Sequence, residues 1–184
     1  QRYGHLPETA ANPTALCNLS IGQGQLLTSP LQMAMVATAI ANGGTLYRPR
    51  LVKQFRTQPD LPYQENPTWA IRRIDVDIES LEQIRKGMRD VVMHRNGTAR
   101  TAQVEGISIA GKTGSAQYRK KVGDQVEDRV HAWMISYAPY DFPRYAIAML
   151  VEDVVSGGQT IGPRLAQLYR MLFEYDGTLS RGQG

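Results

Sequence analysis

Apolar positions along this chain follow two rhythms, one of helices and one of strands. Leu81, Ile84, Met88, Val91 and Val92 recur at helical spacing, with Asp77 placed to cap the run and Asn96-Gly97 to end it. Residues 31–41 are apolar on nearly every face, which predicts a helix buried all round, with Met33 and Met35 as core filling. Ser29 caps it, Pro30 suits its first position, Gln32 completes a capping box and Asn42-Gly43-Gly44 stops it. A last helix follows Ser156-Gly157-Gly158, with Pro163 at its start and Leu165, Leu168, Tyr169 and Leu172 on one face.

The second rhythm has a period of two. Residues 107–114 alternate as a strand does, and residues 130–137 and 145–151 do the same on either side of an Ala138-Pro139-Tyr140-Asp141 turn, predicting an antiparallel hairpin. Residues 46–55 read as an edge strand interrupted by Pro49, and residues 69–74 as a short strand. Glu152-Asp153 is expected to end a strand and meet solvent. Residues 1–27, rich in Gly, Pro, Asn and Thr, read as irregular, with Ile21-Gly22-Gln23-Gly24 as a plain tight loop. Residues 118–128 read as a charged, solvated connection, and residues 176–184 as a flexible tail. The expected class is α/β (α+β), a mainly antiparallel sheet flanked by helices.

Composition changes this picture little. With 184 residues, 42% hydrophobic and 21% charged, the chain suits one globular domain or a piece of a larger one. No apolar run reaches the about eighteen residues needed to cross a bilayer. The start at Gln1, without methionine, leads us to expect that something upstream was removed. The net charge of +4 is dispersed, and the Arg119-Lys120-Lys121 run is soon offset by Asp124, Glu127 and Asp128, so no nucleic-acid partner is expected. One cysteine, Cys17, excludes an internal disulfide, and His5, His94 and His131 are too scattered for metal ligands, so neither metal nor cofactor is expected.

The chemistry concentrates where the first period-two run ends, in Lys112-Thr113-Gly114. An ammonium, a hydroxyl able to bind a carboxylate, and a residue without side chain suit an extended peptide lying along a sheet edge. The triplet alone is weak, since it turns up by chance in roughly one chain in ten of this length. A rival reading uses the same residues. Gly106-Ile107-Ser108-Ile109-Ala110-Gly111-Lys112-Thr113 fits the nucleotide-binding phosphate-loop pattern, and residues 147–153 resemble an apolar strand ending in acids. Against it, the loop interior prefers to be a strand, and Gly114 weakens a helix where one must begin.

Several separate blocks carry a resemblance. They are Ile21-Gly22-Gln23-Gly24, Thr28-Ser29-Pro30-Leu31-Gln32-Met33-Ala34, Asn42-Gly43-Gly44, Asn96-Gly97-Thr98-Ala99, the run from Ala110 to Gln117, and Tyr137-Ala138-Pro139. In order and rough spacing, over about residues 20–172, the chain resembles the class B penicillin-binding proteins, most closely the penicillin-binding protein 2 group. The resemblance implies a fold like the serine β-lactamases and a D,D-transpeptidase, in which a serine attacks the D-alanyl-D-alanine end of a peptidoglycan stem peptide. β-Lactams acylate the same serine. It further implies that Lys112 steers the substrate carboxylate, Thr113 binds it, Gly114 admits the substrate backbone and Ser115 offers its N–H to the oxyanion. Ala116 and Gln117 would continue the substrate-binding edge.

Two expected motifs are missing. No serine of this chain has lysine three places on, and none has asparagine two places on. The resemblance puts both upstream of these blocks. Residues 1–175 are therefore expected to be the C-terminal portion of one transpeptidase domain, inactive alone and completed by a nucleophile-bearing half. The implied setting is the periplasmic face of a bacterial inner membrane, with the parent anchored there and possible contact with a cell-wall glycosyltransferase. The alternative from the residues is a noncatalytic module that binds peptides or cell-wall strands along the same edge.

Overall fold

The computed structural model describes residues 12–24, 26–154 and 157–179, and its first element is a helix that composition conceals. Pro13–Ser20 (α1) begins at Asn12, whose Oδ1 accepts the Ala15 N–H at 3.1 Å, and Pro13 sits where no N–H is needed. This corrects the reading of residues 1–27 as irregular throughout; residues 1–11 and Gln25 lie outside the described residues.

Pro30–Ala41 (α2) starts as its cap dictates. Ser29 Oγ accepts from the Gln32 N–H, and Gln32 Oε1 accepts from the Ser29 N–H at 2.9 Å. Ala37, Ala39 and Ala41 are buried and let the helix lie close to its neighbours, but Leu31 and Val36 are 58% and 42% exposed. The helix is therefore not buried all round among the described residues.

The strand expected over residues 46–55 divides into Thr45–Tyr47 (β1) and Gln54–Phe55 (β2), with Pro49 between them unable to donate to a ladder. β2 pairs with Gln64–Glu65 (β3) and β1 with Ala70–Arg73 (β4), two small antiparallel ribbons. Ile78–Met93 (α3) is capped by Asp77, whose Oδ1 accepts the Ser80 N–H at 2.7 Å, and it buries Leu81, Met88 and Val92.

The main sheet comes last. Ala110–Val122 (β5), Gln125–Ala138 (β6) and Tyr145–Val151 (β7) form an antiparallel sheet in that order. The expected β6–β7 hairpin is present, Ala132 opposite Val151 and Ala138 opposite Tyr145. The expected connection over residues 118–128 is instead the far end of a long hairpin, paired out to Val122 opposite Gln125. It needs no apolar stripe, because its register is carried outward from the inner sheet.

Gly157–Tyr175 (α4) closes the fold and holds Pro163 inside rather than at its start. Past it, Asp176 accepts from the Tyr145 hydroxyl at 2.7 Å and pairs with Arg144 at 3.1 Å, and the Leu179 N–H donates to the Phe173 carbonyl at 2.9 Å. Residues 180–184 lie outside the described residues. The sheet has a core on each face. On one, Ala132 and Met134 of β6 meet Val92 of α3 and Ile161, Leu165, Tyr169 and Phe173 of α4. On the other, Ala110 and Tyr137 meet Ala41 of α2 and Met88 of α3.

Candidate active site on the open edge of the sheet

Among the described residues β5 is an edge strand, hydrogen-bonded on one side only, to β6. Its register puts Lys112 opposite Ile135, Gly114 opposite Trp133 and Ala116 opposite His131, so these six side-chain positions share one face. Over that face runs the segment on either side of Gln25, and between them lies a cleft of about 530 Å³. Lys112, Thr113, Gly114, Ser115 and Ala116 line it from β5, with Trp133 and His131 from β6. Gln117, the sixth expected residue, is exposed and does not line it.

Side chains bind the carbonyls of the open edge. The Lys112 ammonium donates to the Thr113 carbonyl at 2.6 Å, and the Gln23 side-chain amide donates to the Ser115 carbonyl at 2.6 Å. Residues two apart turn their N–H and C=O groups to the same edge, and each residue's pair points one way. The N–H groups of Thr113 and Ser115 therefore face the open side. Lys112 forms no ion pair among the described residues.

The site residues divide between faces. Lys112 and Gly114 look into the cleft, whereas Thr113 alternates to the other face, where its hydroxyl lies 3.2 Å from that of Thr98. The two meet only at the strand's edge. Thr98 belongs to the turn after α3, where a Cβ on Gly97 would stand 2.3 Å from the Val91 carbonyl oxygen. Space is tight at Gly111, whose Cβ would come within 2.7 Å of Met134 Cε and 3.1 Å of the Ile135 carbonyl oxygen. It is less so at Gly114, where the nearest atom would be at 3.4 Å.

Several participants escaped the sequence reading. Ile21-Gly22-Gln23-Gly24 is more than a plain loop. Gly22 and Gly24 take φ of 73° and 85°, conformations that favour glycine, and so present Gln23 to Ser115. The available signal was Gln23 standing between two glycines. Met33 lines the cleft rather than filling the core. Trp133 and His131 were legible as alternate residues of a strand, but their side of the sheet was not. Asp153 does not simply meet solvent: its carboxylate accepts from the Tyr118 hydroxyl and, at 2.7 Å, from the Lys120 ammonium.

The phosphate-loop reading is overturned. Residues 110–113 lie in β5 and no helix begins at Lys112, so no ring of N–H groups faces a phosphate there. Among the described residues no cluster of His, Cys, Asp and Glu could hold a metal ion, and no helix is long and apolar enough to cross a membrane.

Residues 3–170 match the family described as penicillin binding protein transpeptidase domain. Peptidoglycan D,D-transpeptidase MrdA of Haemophilus influenzae is 30% identical over 167 residues, covering 86% of this chain and 25% of that protein. Penicillin-binding protein 3 of Mycobacterium tuberculosis, complexed with aztreonam, matches with a TM-score of 0.72 and 30% identity, over 87% of this chain and 38% of that one. Penicillin-binding protein A of M. tuberculosis, as a penicillin G acyl-enzyme complex, matches with a TM-score of 0.68 and 30% identity, over 92% and 37%. The chain spans about a quarter of the length of the curated relatives it matches. Neither a nucleotide-binding protein nor a noncatalytic wall-binding module finds support among them. The matched span, the antiparallel sheet and the Lys-Thr-Gly edge together place this chain in the penicillin-binding protein transpeptidase family, as part of its domain.

Proposed function

We propose that this chain supplies one wall of the active site of a peptidoglycan D,D-transpeptidase, and that the attacking serine belongs to sequence outside it. The observation that carries the reading is the open edge of β5, where Lys112, Thr113 and the Ser115 N–H converge on one cleft. A stem peptide ending in D-alanyl-D-alanine lies along that edge as an added strand. Its terminal carboxylate meets the Lys112 ammonium and the Thr113 hydroxyl, charge-assisted and neutral donors respectively. Gly114 leaves room for the peptide backbone. The Ser115 N–H is one of two donors to the oxyanion that forms when serine attacks the carbonyl, a contribution of about 3 kcal/mol in comparable sites. Ala116 and Gln117 carry the edge onward. A β-lactam enters as a mimic of the same peptide and acylates the same serine.

The exposed apolar positions fit a domain completed by more chain. Leu16 of α1, Leu31 and Val36 of α2 and Ile21 between the two helices are each more than two-fifths exposed. The reading places the working protein at the outer face of a bacterial membrane, acting beside a glycosyltransferase.

Fluorescent penicillin added to the full-length protein tests this directly. The full-length protein labels covalently and this chain alone does not. Lys112→Ala slows labelling about 100-fold and Thr113→Ala about tenfold, the sizes of a lost charged and a lost neutral hydrogen bond. Thermal stability stays near that of the parent, because Lys112 is exposed and Thr113 half-buried. Unchanged labelling in both variants removes these residues from the site.

A further inference from the structure

The β5–β6 hairpin outruns its sheet. β7 pairs only with residues 132–138 of β6, so residues 116–122 of β5 and 125–131 of β6 form a two-stranded ribbon beyond the third strand. Such a ribbon is marginal by itself in water. Yet it begins at Ala116, next to the Ser115 N–H that the proposed reaction uses.

Where β7 ends, the chain takes an unusual step. Asp153 adopts φ of 55°, the left-handed region that non-glycine residues seldom enter, and among the described residues it is the only non-glycine to do so. The turn carries the Val154 N–H to the Val130 carbonyl at 3.0 Å, and it brings the Asp153 carboxylate to Tyr118 and Lys120 of the ribbon. One oxygen receives the Tyr118 hydroxyl and the other the Lys120 ammonium, at 2.7 Å. Tyr118 is itself stacked on His131, their ring centres 4.1 Å apart, and His131 lines the cleft. The Lys120 bond, ahead of the Tyr118 bond, holds the Asp153 carboxyl below its ordinary range, and Asp153 in turn raises both the Tyr118 phenol and the Lys120 ammonium.

We propose that Asp153 is a positioning residue for the open edge: by gripping Tyr118 and Lys120 it fixes the outer ribbon against the end of β7 and so sets the aim of the Ser115 N–H. The proposal rests on the transpeptidase reading above. A backbone held in a sparsely populated conformation at this point is the kind of local strain that persists when the surroundings over-determine it. Here two donors and a ladder bond do so. The grip acts three and five residues beyond Ser115, on the same continuous strand.

Two variants of the full-length protein approach the grip from opposite sides. Asp153→Asn removes the charge while keeping a residue that tolerates the left-handed turn. The double variant Tyr118→Phe with Lys120→Met removes both donors and keeps the ring on His131. In each, amide hydrogen exchange over residues 115–122 rises about tenfold, as local opening becomes easier. The first-order acylation step by fluorescent penicillin falls about tenfold, while the pre-acylation dissociation constant moves less than about threefold, because misalignment costs the reaction more than binding. Combining all three substitutions adds little, since they break one shared contact.

Acylation at the parent rate in either variant overturns the proposal, whatever happens to exchange. So does a loss of acylation matched by an equal loss of folded protein in both variants, which assigns Asp153 to stability alone. If the unmodified full-length protein is not acylated, the transpeptidase reading itself fails and takes this one with it.

Discussion

The β5–β6 hairpin holds two different structures in one continuous register. Its inner half, residues 110–115 against 132–137, has a third strand beside it and helices on both faces, and Ala110, Gly111, Ala132, Met134, Ser136 and Tyr137 are buried there. Its outer half is a ribbon whose valines near the tip, Val122 and Val126, are 43% and 65% exposed. The inner half is specified by what packs on it, and the outer half by its ladder and one carboxylate. The proposed site sits at the junction. Packing supports Ser115 from one side, and the Asp153 contacts from the other.

The contrast breaks most sharply in the core. Met134→Ala removes a fully buried side chain and costs about 2–5 kcal/mol, whereas Val126→Ala on the ribbon stays within about 0.5 kcal/mol; denaturant titration of both measures the difference. Near-equal costs would show that the two halves are not distinct. Backbone space gives a smaller effect. Gly111→Ala forces a Cβ to within 2.7 Å of Met134 Cε and costs about 1–3 kcal/mol by overpacking. Gly123→Ala meets nothing within 4 Å but must hold φ of 62°, at about 1–2 kcal/mol, and raises exchange only at the ribbon tip.

The smallest signal is a pH dependence of the inner half. Burial pushes the Tyr137 phenol up from 10.0 to about 12, so the folded protein keeps its proton where the unfolded chain loses it. That contribution is complete below pH 10 and disappears as pH rises to about 12. Tyr137→Phe flattens this part of the stability profile, read by thermal melts from pH 9 upward. A profile unchanged by the substitution would place the alkaline sensitivity elsewhere.

What the sequence revealed follows from where its signals are local. The capping box at Ser29 and Gln32 and the Asp77 cap are single-turn chemistry, and both helices begin there. The alternation over residues 130–137 and 145–151 is equally local, and these strands pair as expected. The ribbon was illegible because nothing in its own composition makes it a strand; it inherits pairing from residues that do. Pro163 misled because a proline at a helix start and one inside a helix look alike without knowing where the preceding turns lie. The site itself was half legible. Lys112, Thr113, Gly114 and Ser115 stand in one run, but Gln23 reaches Ser115 across 92 positions of sequence, and no periodicity reports a contact so distant.

That contact has a consequence for selectivity. A bare strand margin welcomes any extended polypeptide, and proteins that leave one uncovered invite fibres. Here the two outward carbonyls flanking Gly114 already have donors from their own molecule, Lys112 and Gln23. A visitor must outcompete these resident guards, and a stray backbone brings only amides. On the proposed function, a short peptide that also delivers an anionic terminus would give the Lys112 ammonium another partner, and so free the margin for its own backbone.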